Sequence, residues 1–209
     1  ALRRINTDNI TESFLDFLQQ RFITSKRGIA PKTIRCESSA NTLCGIFAKL
    51  KEQCGQNPVD HNDVQITFPG TADSNELKKI IEFGSKSSSG ISLTAKSKEF
   101  TRLEFDFGDN KRVRLSGYDI KVRGEQSPYN FPKNWIISGS NDKLDYYLID
   151  KKSDYKEFSA GKLKHFNILN RENAYRYIVY HQKENNGSPS QQKYLRLASI
   201  EFYGDIIYN

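Results

Sequence analysis

Residues 135 to 144 read Trp-Ile-Ile-Ser-Gly-Ser-Asn-Asp-Lys-Leu, and they contain the only tryptophan of the 209-residue chain. Two readings compete for this stretch. Ser138, Ser140 and Asp142 offer hydroxyls and a carboxylate, the raw material of a nucleophile and a base. That chemistry also needs a proton shuttle, generally histidine, and none lies nearby in sequence. The alternative is a strand followed by a turn. Period-two alternation puts Trp135 and Ile137 on one face. Gly139 supplies backbone freedom, and Asn141 and Asp142 favour an Asx-type turn. The turn accounts for more of the residues than catalysis does.

On either side of this stretch the same period recurs. Strand patterns occupy 64–68, 102–107, 112–122, 134–140, 146–150, 164–169, 175–181 and 194–204. Turn-rich pieces such as Pro69–Asn75 and Lys183–Gln192 separate them. Many short strands without intervening helices indicate an antiparallel sandwich or barrel. Before residue 58 the period is helical. Ile10, Phe14, Phe17, Leu18 and Phe22 suggest one helix, capped by Thr7 or Asp8. Leu43, Ile46, Phe47 and Leu50 suggest a second, with Gly55 as its stop. Between the two helices, residues 23–40 are mixed and polar and read as a linker. The expected organisation is a helix and linker over 1–40, which could end a preceding domain, and one all-β domain over 41–209.

The ordered set Gly117–Val122, Phe131–Asp150, Tyr175–Tyr180 and Tyr194–Gly204 resembles the F5/8 type C, or discoidin, family over about residues 60 to 206. The residues that carry the resemblance are Trp135, Gly139, Ser140, Asn141, Asp142, Glu201 and Gly204, with Tyr146 where a second tryptophan is familiar. It implies a galactose-binding-like jelly-roll sandwich in which Tyr146 keeps a core role and Glu201 is structural. The segment Gly45–Thr67 is similar to the lead-in of intracellular protist discoidin domains that follow BTB and BACK domains. Extracellular members join their first and last strands by a disulfide, whereas here no cysteine follows Cys54. The histidine and two arginines of the lectin-type members are not evident, and only His181 flanks a candidate loop.

By that resemblance, recognition falls on loops opposite the chain ends, with the Gly-Ser-Asn-Asp turn at the other pole. The candidate ligand-binding residues are Thr71, Asp73 and Asn75 after the first strand, with Arg123, Gln126, Tyr129 and Asn130 before the tryptophan strand. Lys183 and Asn185 precede the last strand. Rich in Ser, Asn, Gln and Lys, these loops suit hydrogen-bonded contact with a protein or a sugar. The leading expectation is a non-catalytic adaptor module docking a protein partner. A carbohydrate-binding module is the alternative, and a part of a cytoskeletal or ciliary assembly comes third.

Other chemistry is thinner. Glu104 and Asp106 share a strand face, where a solvated or salt-bridged pair is the expectation beside a glycosidase pair. No nucleotide-binding glycine motif and no paired Cys/His zinc spacing occurs, so no cofactor or metal is expected. Calcium at Asp73 would begin with one carboxylate where six to eight oxygens are needed. The net charge is +7, with a pI near 9.2 and a mean hydropathy of −0.70. Its basic residues alternate with apolar ones instead of gathering with aromatics, which disfavours nucleic acid. No run approaches the roughly 18 apolar residues of a membrane span. The three cysteines, Cys36, Cys44 and Cys54, lack paired spacing and suit a reducing, cytoplasmic setting, with Cys44 and Cys54 as small buried hydrophobes. With no methionine, the chain is expected to be a fragment or a processed form.

Overall fold

In the computed structural model, the described residues are 32–37, 45–71, 74–82, 91–97, 99, 101–124, 130–169 and 171–209. The helix suggested at 7–22, together with Leu43, Cys44, Asp73, Gln126 and Tyr129, lies outside them.

Period-two sequence becomes strand because each strand can bury one face and leave the other to water. Among the described residues the strands are β1 (Thr33–Cys36), β2 (Gln65–Thr67), β3 (Gly70–Thr71), β4 (Ile91–Ala95), β5 (Arg102–Asp106) and β6 (Lys111–Val122), then β7 (Pro132–Ser140), β8 (Tyr147–Lys152), β9 (Leu163–Asn167), β10 (Tyr177–Asn185) and β11 (Tyr194–Tyr208). Two antiparallel sheets result. One runs β3-β4-β11-β6-β9, with β1 also on β11; the other runs β2-β5-β10-β7-β8. The packed interior contains Leu103, Phe105, Ile120, Trp135, Ile137, Ile178, Tyr180, Ile200 and Phe202, each fully buried. It is a jelly-roll sandwich, as the resemblance implied; the alternation by itself indicated a sandwich or a barrel.

Two departures have physical reasons. Thr33–Cys36, read as linker, adds a strand to the lower half of β11, with Cys36 opposite Gly204 and buried. Four residues are too short to show alternation against polar neighbours. Strand β4 is absent from the strand patterns above because Ser92 and Thr94 interrupt its apolar residues, whose partners on β11 are far along the chain: Leu93 pairs with Leu195 and Ile91 with Leu197.

The second helix forms as α1 (Ile46–Cys54), burying Ile46, Phe47 and Leu50. Phe47 meets the rings of Phe105, Phe107 and Phe202 at centroid distances of 5.4–6.0 Å, so α1 plugs the sandwich. Gly55, at φ 75°, adopts the left-handed conformation that ends such helices cheaply. The other end is closed by a side chain from far along the sequence. Glu201 Oε1 accepts from Phe47 N (2.9 Å) and Phe202 N (2.9 Å), and Oε2 accepts from Ala48 N (3.2 Å). Cys54 is only half-buried at the helix end, its Sγ 3.1 Å from the Gln56 carbonyl, which corrects the expectation of a buried thiol.

Trp135 is fully buried, and its Nε1 donates to Tyr118 Oη at 2.9 Å. Tyr118 in turn donates to Asp150 Oδ2 at 2.6 Å. Burial and the Asp150 carboxylate push the Tyr118 hydroxyl far above its ordinary pKa, so it stays a donor. Tyr155, Phe158 and Phe166 surround the indole at 5.3–5.8 Å.

Candidate functional site

Strand directions sort the loops into two ends. β7, β6 and β10 place the connections 123–131 and 186–193 at one end. They place 108–110, 141–146 and 168–176 at the other, where Asn209 N donates to the Asn110 carbonyl at 3.0 Å. The Gly-Ser-Asn-Asp turn therefore sits at the C-terminal end, opposite the loop before β11.

The chemistry of that turn is fully occupied. Ser140 Oγ donates to Asp142 Oδ1 (3.0 Å) and accepts from Lys143 N (3.0 Å). Asp142 Oδ1 also accepts from Leu144 N (2.8 Å) and Asp145 N (3.0 Å), and these amides, then Ser140, hold its carboxyl below the usual range. Asn141 ties the turn to the next loop through the Ala174 carbonyl and Arg176 N. Lys143, at φ 65°, takes the left-handed position. Gly139 has a different reason from the one expected: a Cβ there would stand 2.3 Å from the Tyr175 ring. Gly139→Ala is therefore expected to cost about 1–3 kcal/mol, by urea denaturation, as overpacking does.

Tyr146 does not fill the core position that the resemblance implied. It is 37% exposed and donates to Glu104 Oε2 at 2.9 Å, because the turn carries it over the outer face of the second sheet. The paired carboxylates of β5 are both spent in structure. Glu104 meets Lys143 at 2.9 Å, and Asp106 receives Arg176 Nε at 2.7 Å and Nη2 at 3.0 Å. Burial would raise Asp106, but Arg176 and Gly108 N together hold it low.

At the distal end the loop 186–193 is built by side-chain amides. Asn185 Nδ2 donates to the Gln191 and Tyr194 carbonyls (2.9 and 3.2 Å), and its Oδ1 accepts from Gly187 N (2.9 Å). Gln192 Oε1 accepts from Asn185 N (2.9 Å), while Nε2 donates to the Gly187 carbonyl (2.8 Å). Ser188 and Gln191 close a reciprocal capping box around Pro189–Gln191. Beneath, Gln182 Nε2 donates to the Tyr194 carbonyl at 2.9 Å. The result is a rigid open groove of about 430 Å³, lined by Lys183, Glu184, Gly187, Pro189 and Gln192. Glu184 is steadied by Lys133 (3.0 Å) and by Asn134 Nδ2.

The sequence-named residues divide accordingly. Lys183 lines the groove. Asn185 is 1% exposed and holds the loop from within. Asn130 is 3% exposed. Arg123 lies at the distal end of β6, half-buried, and Asn75 is exposed in the short helix Ser74–Leu77. Thr71 pairs with Thr94 through β3, at the distal end of β4. Glu184, Gly187, Pro189 and Gln192 were missed individually. Their signal was present in the polar loop, but nothing in it separates lining from scaffold. Beside the groove, His181 has a buried Nε2 with no hydrogen-bond partner among the described residues, and burial, then Lys183 and Arg102, push it down to about 4, so it is neutral at pH 7.

Among the described residues, Cys54, His61 and Asp63 bring three metal-type donor atoms within 4.8 Å of one another. Asp63 is already shared between Lys111 Nζ at 2.7 Å and His61 Nδ1 at 2.8 Å. The buried Lys111 ammonium occupies the charge that a cation would need.

Neither a family model nor a curated protein matches this sequence. Solved structures do match. A family 89 glycoside hydrolase from Clostridium perfringens aligns at a TM-score of 0.50 and 18% identity, over 68% of this chain and 14% of the hydrolase. The first family 32 carbohydrate-binding module of a family 31 glycoside hydrolase from the same organism aligns at 0.49 and 17%, over 68% of this chain and 94% of the module. The family 62 carbohydrate-binding module of Clostridium thermocellum Xyl5A aligns at 0.49 and 15%, over 70% of this chain and 95% of the module. The strand order and the hydrolase match agree. This chain has an antiparallel jelly-roll sandwich fold. Likeness at this identity extends to the fold and no further. These neighbours are bacterial modules and not the BTB-linked adaptors that the lead-in resembles.

Proposed function

We propose that this chain is a non-catalytic carbohydrate-binding module that takes its ligand in the distal groove beside Lys183. The observation that carries the reading is the loop before β11. Three side-chain amides freeze its backbone before any ligand arrives, which lowers the ordering cost of binding a polyhydroxyl ligand. The groove presents the Lys183 ammonium and the Glu184 carboxylate, which suit sugar hydroxyls as donor and acceptor. The jelly-roll fold, shared with modules from glycoside hydrolases, supports the same reading. It replaces the protein adaptor as the leading expectation.

A glycan array followed by calorimetry tests this. Binding of a neutral sugar is expected, weakened about tenfold by Lys183→Ala with the circular dichroism spectrum unchanged, the worth of a charge-assisted hydrogen bond. Absence of binding to every glycan would overturn it. A protein-docking reading would then lead, on one observation: Leu144 (82%), Tyr147 (57%) and Leu148 (59%) stand exposed together after the turn at the other end.

A further inference from the structure

A second cavity, of about 320 Å³, is lined by Arg35, Glu37, Arg114, Ser116, Arg171 and Asp205, with backbone at Leu115 and Gly204. Its geometry comes from a bulge. Opposite Tyr203 and Gly204 the register of β6 slips by one residue, leaving Ser116 with no partner on β11. Gly204 permits this: at φ 135°, a Cβ would lie 1.9 Å from the Arg114 carbonyl oxygen. Below the bulge, Arg35, Asp205 and Arg114 stand in one row across β1, β11 and β6. Asp205 is shared by both guanidiniums at long range, 3.4 Å to Arg35 and 3.5 Å to Arg114. Arg114 Nε is buried with no hydrogen-bond partner among the described residues. Arg171 is anchored through Nε to the Ile168 carbonyl at 2.9 Å.

We propose that this cavity binds an acidic sugar, one bearing a single carboxylate or sulfate ester, as a site distinct from the Lys183 groove. Three guanidiniums against two carboxylates leave an excess of one positive charge, and guanidinium forks match planar or tetrahedral oxyanions. Asp205 and Glu37 decide the ligand class. They would repel a phosphate dianion, but they are the acceptors that a singly charged, hydroxyl-rich ligand needs. Ser116 adds a hydroxyl able to donate or accept. The inference rests on the carbohydrate reading and deepens it to anionic glycans.

Calorimetric titration of the full chain with glucuronic acid, galactose 6-sulfate, neutral galactose and a phosphoserine peptide tests it, on wild type and on Arg114→Gln, Arg171→Gln and Lys183→Ala. Both acidic sugars are expected to bind at least about tenfold tighter than galactose, with the advantage falling as salt rises. Arg171→Gln, at an exposed loop position independent of the sheet, is expected to abolish that advantage and leave galactose binding unchanged. Lys183→Ala should show the opposite pattern. Sugar binding that ignores both arginine variants overturns this inference while leaving the carbohydrate reading standing. Preference for the phosphoserine peptide over either acidic sugar overturns it as well. Failure of every sugar removes both. Glucuronate binding without galactose 6-sulfate binding identifies the carboxylate as the recognised group, and the reverse identifies the sulfate.

Discussion

Replacing Glu201 with alanine is expected to lower stability by about 3 kcal/mol or more, measured by urea denaturation. The change leaves the amides of Phe47, Ala48 and Phe202 without their acceptor in a site that is 1% exposed, and each orphaned buried donor costs roughly 1–3 kcal/mol. Helix α1 would lose its N-terminal closure, and with it the packing of Phe47 against both sheets. Glu201→Gln should cost far less. Its Oε1 keeps two of the three hydrogen bonds, and only the amide nitrogen facing Ala48 N is mismatched. The pair also predicts a pH signature. Burial pushes the Glu201 carboxyl up to about 8 from 4.5, against three N–H groups that favour the anion and with Asp119 adding to the rise. The folded state then holds a proton that the unfolded chain releases. The stabilisation is complete below pH 4.5 and is lost as pH rises towards 8, at up to roughly 1.4 kcal/mol per pH unit. Across that window the stability of Glu201→Gln relative to wild type should climb. A difference that stays flat would show Glu201 to be ionised throughout.

Trp135→Ala is expected to cost about 3–5 kcal/mol, the range for removing a large aromatic from a packed interior. Three aromatic partners lose contact, and Tyr118 Oη loses a donor beside Asp150. Trp135→Phe separates the two losses. It restores most of the ring contact but not the Nε1 hydrogen bond, so its cost should be close to 1–2 kcal/mol, a partner removed from a buried group. A tryptophan fluorescence spectrum of the wild type should be blue-shifted and shift red on unfolding, since this is the chain's one indole. An alanine variant as stable as wild type would mean that the indole is not the centre of this cluster.

How far the sequence could be read depended on which forces act locally. Alternation along β6, β7, β10 and β11 is a property of consecutive residues, so those strands, their faces and the burial of Trp135 and Ile137 were legible before any coordinates. Turn chemistry is local too. Ser140 and Asp142 hydrogen-bond within a few residues of themselves, and the turn followed, whereas the partners of Asn141 at Ala174 and Arg176 were not legible. Strands β1 and β4 escaped because their evidence is held by their partners: four residues of β1 mean little until Gly204–Ile207 lies beside them.

The sites show the same division. That the loop before β11 is polar was plain; that Asn185 faces inward while Lys183 faces the groove depends on a strand end and a capping turn acting together. The arginine cavity was invisible, because Arg35, Arg114 and Arg171 are brought together only by β11 and by a bulge that one glycine allows. By itself the sequence determined an antiparallel sandwich, a buried indole and a closed turn, all set by interactions between near neighbours in the chain. Only the tertiary structure decided which carboxylates are spent, which amide is scaffold and where positive charge is left over, because those outcomes are settled between residues up to 170 positions apart.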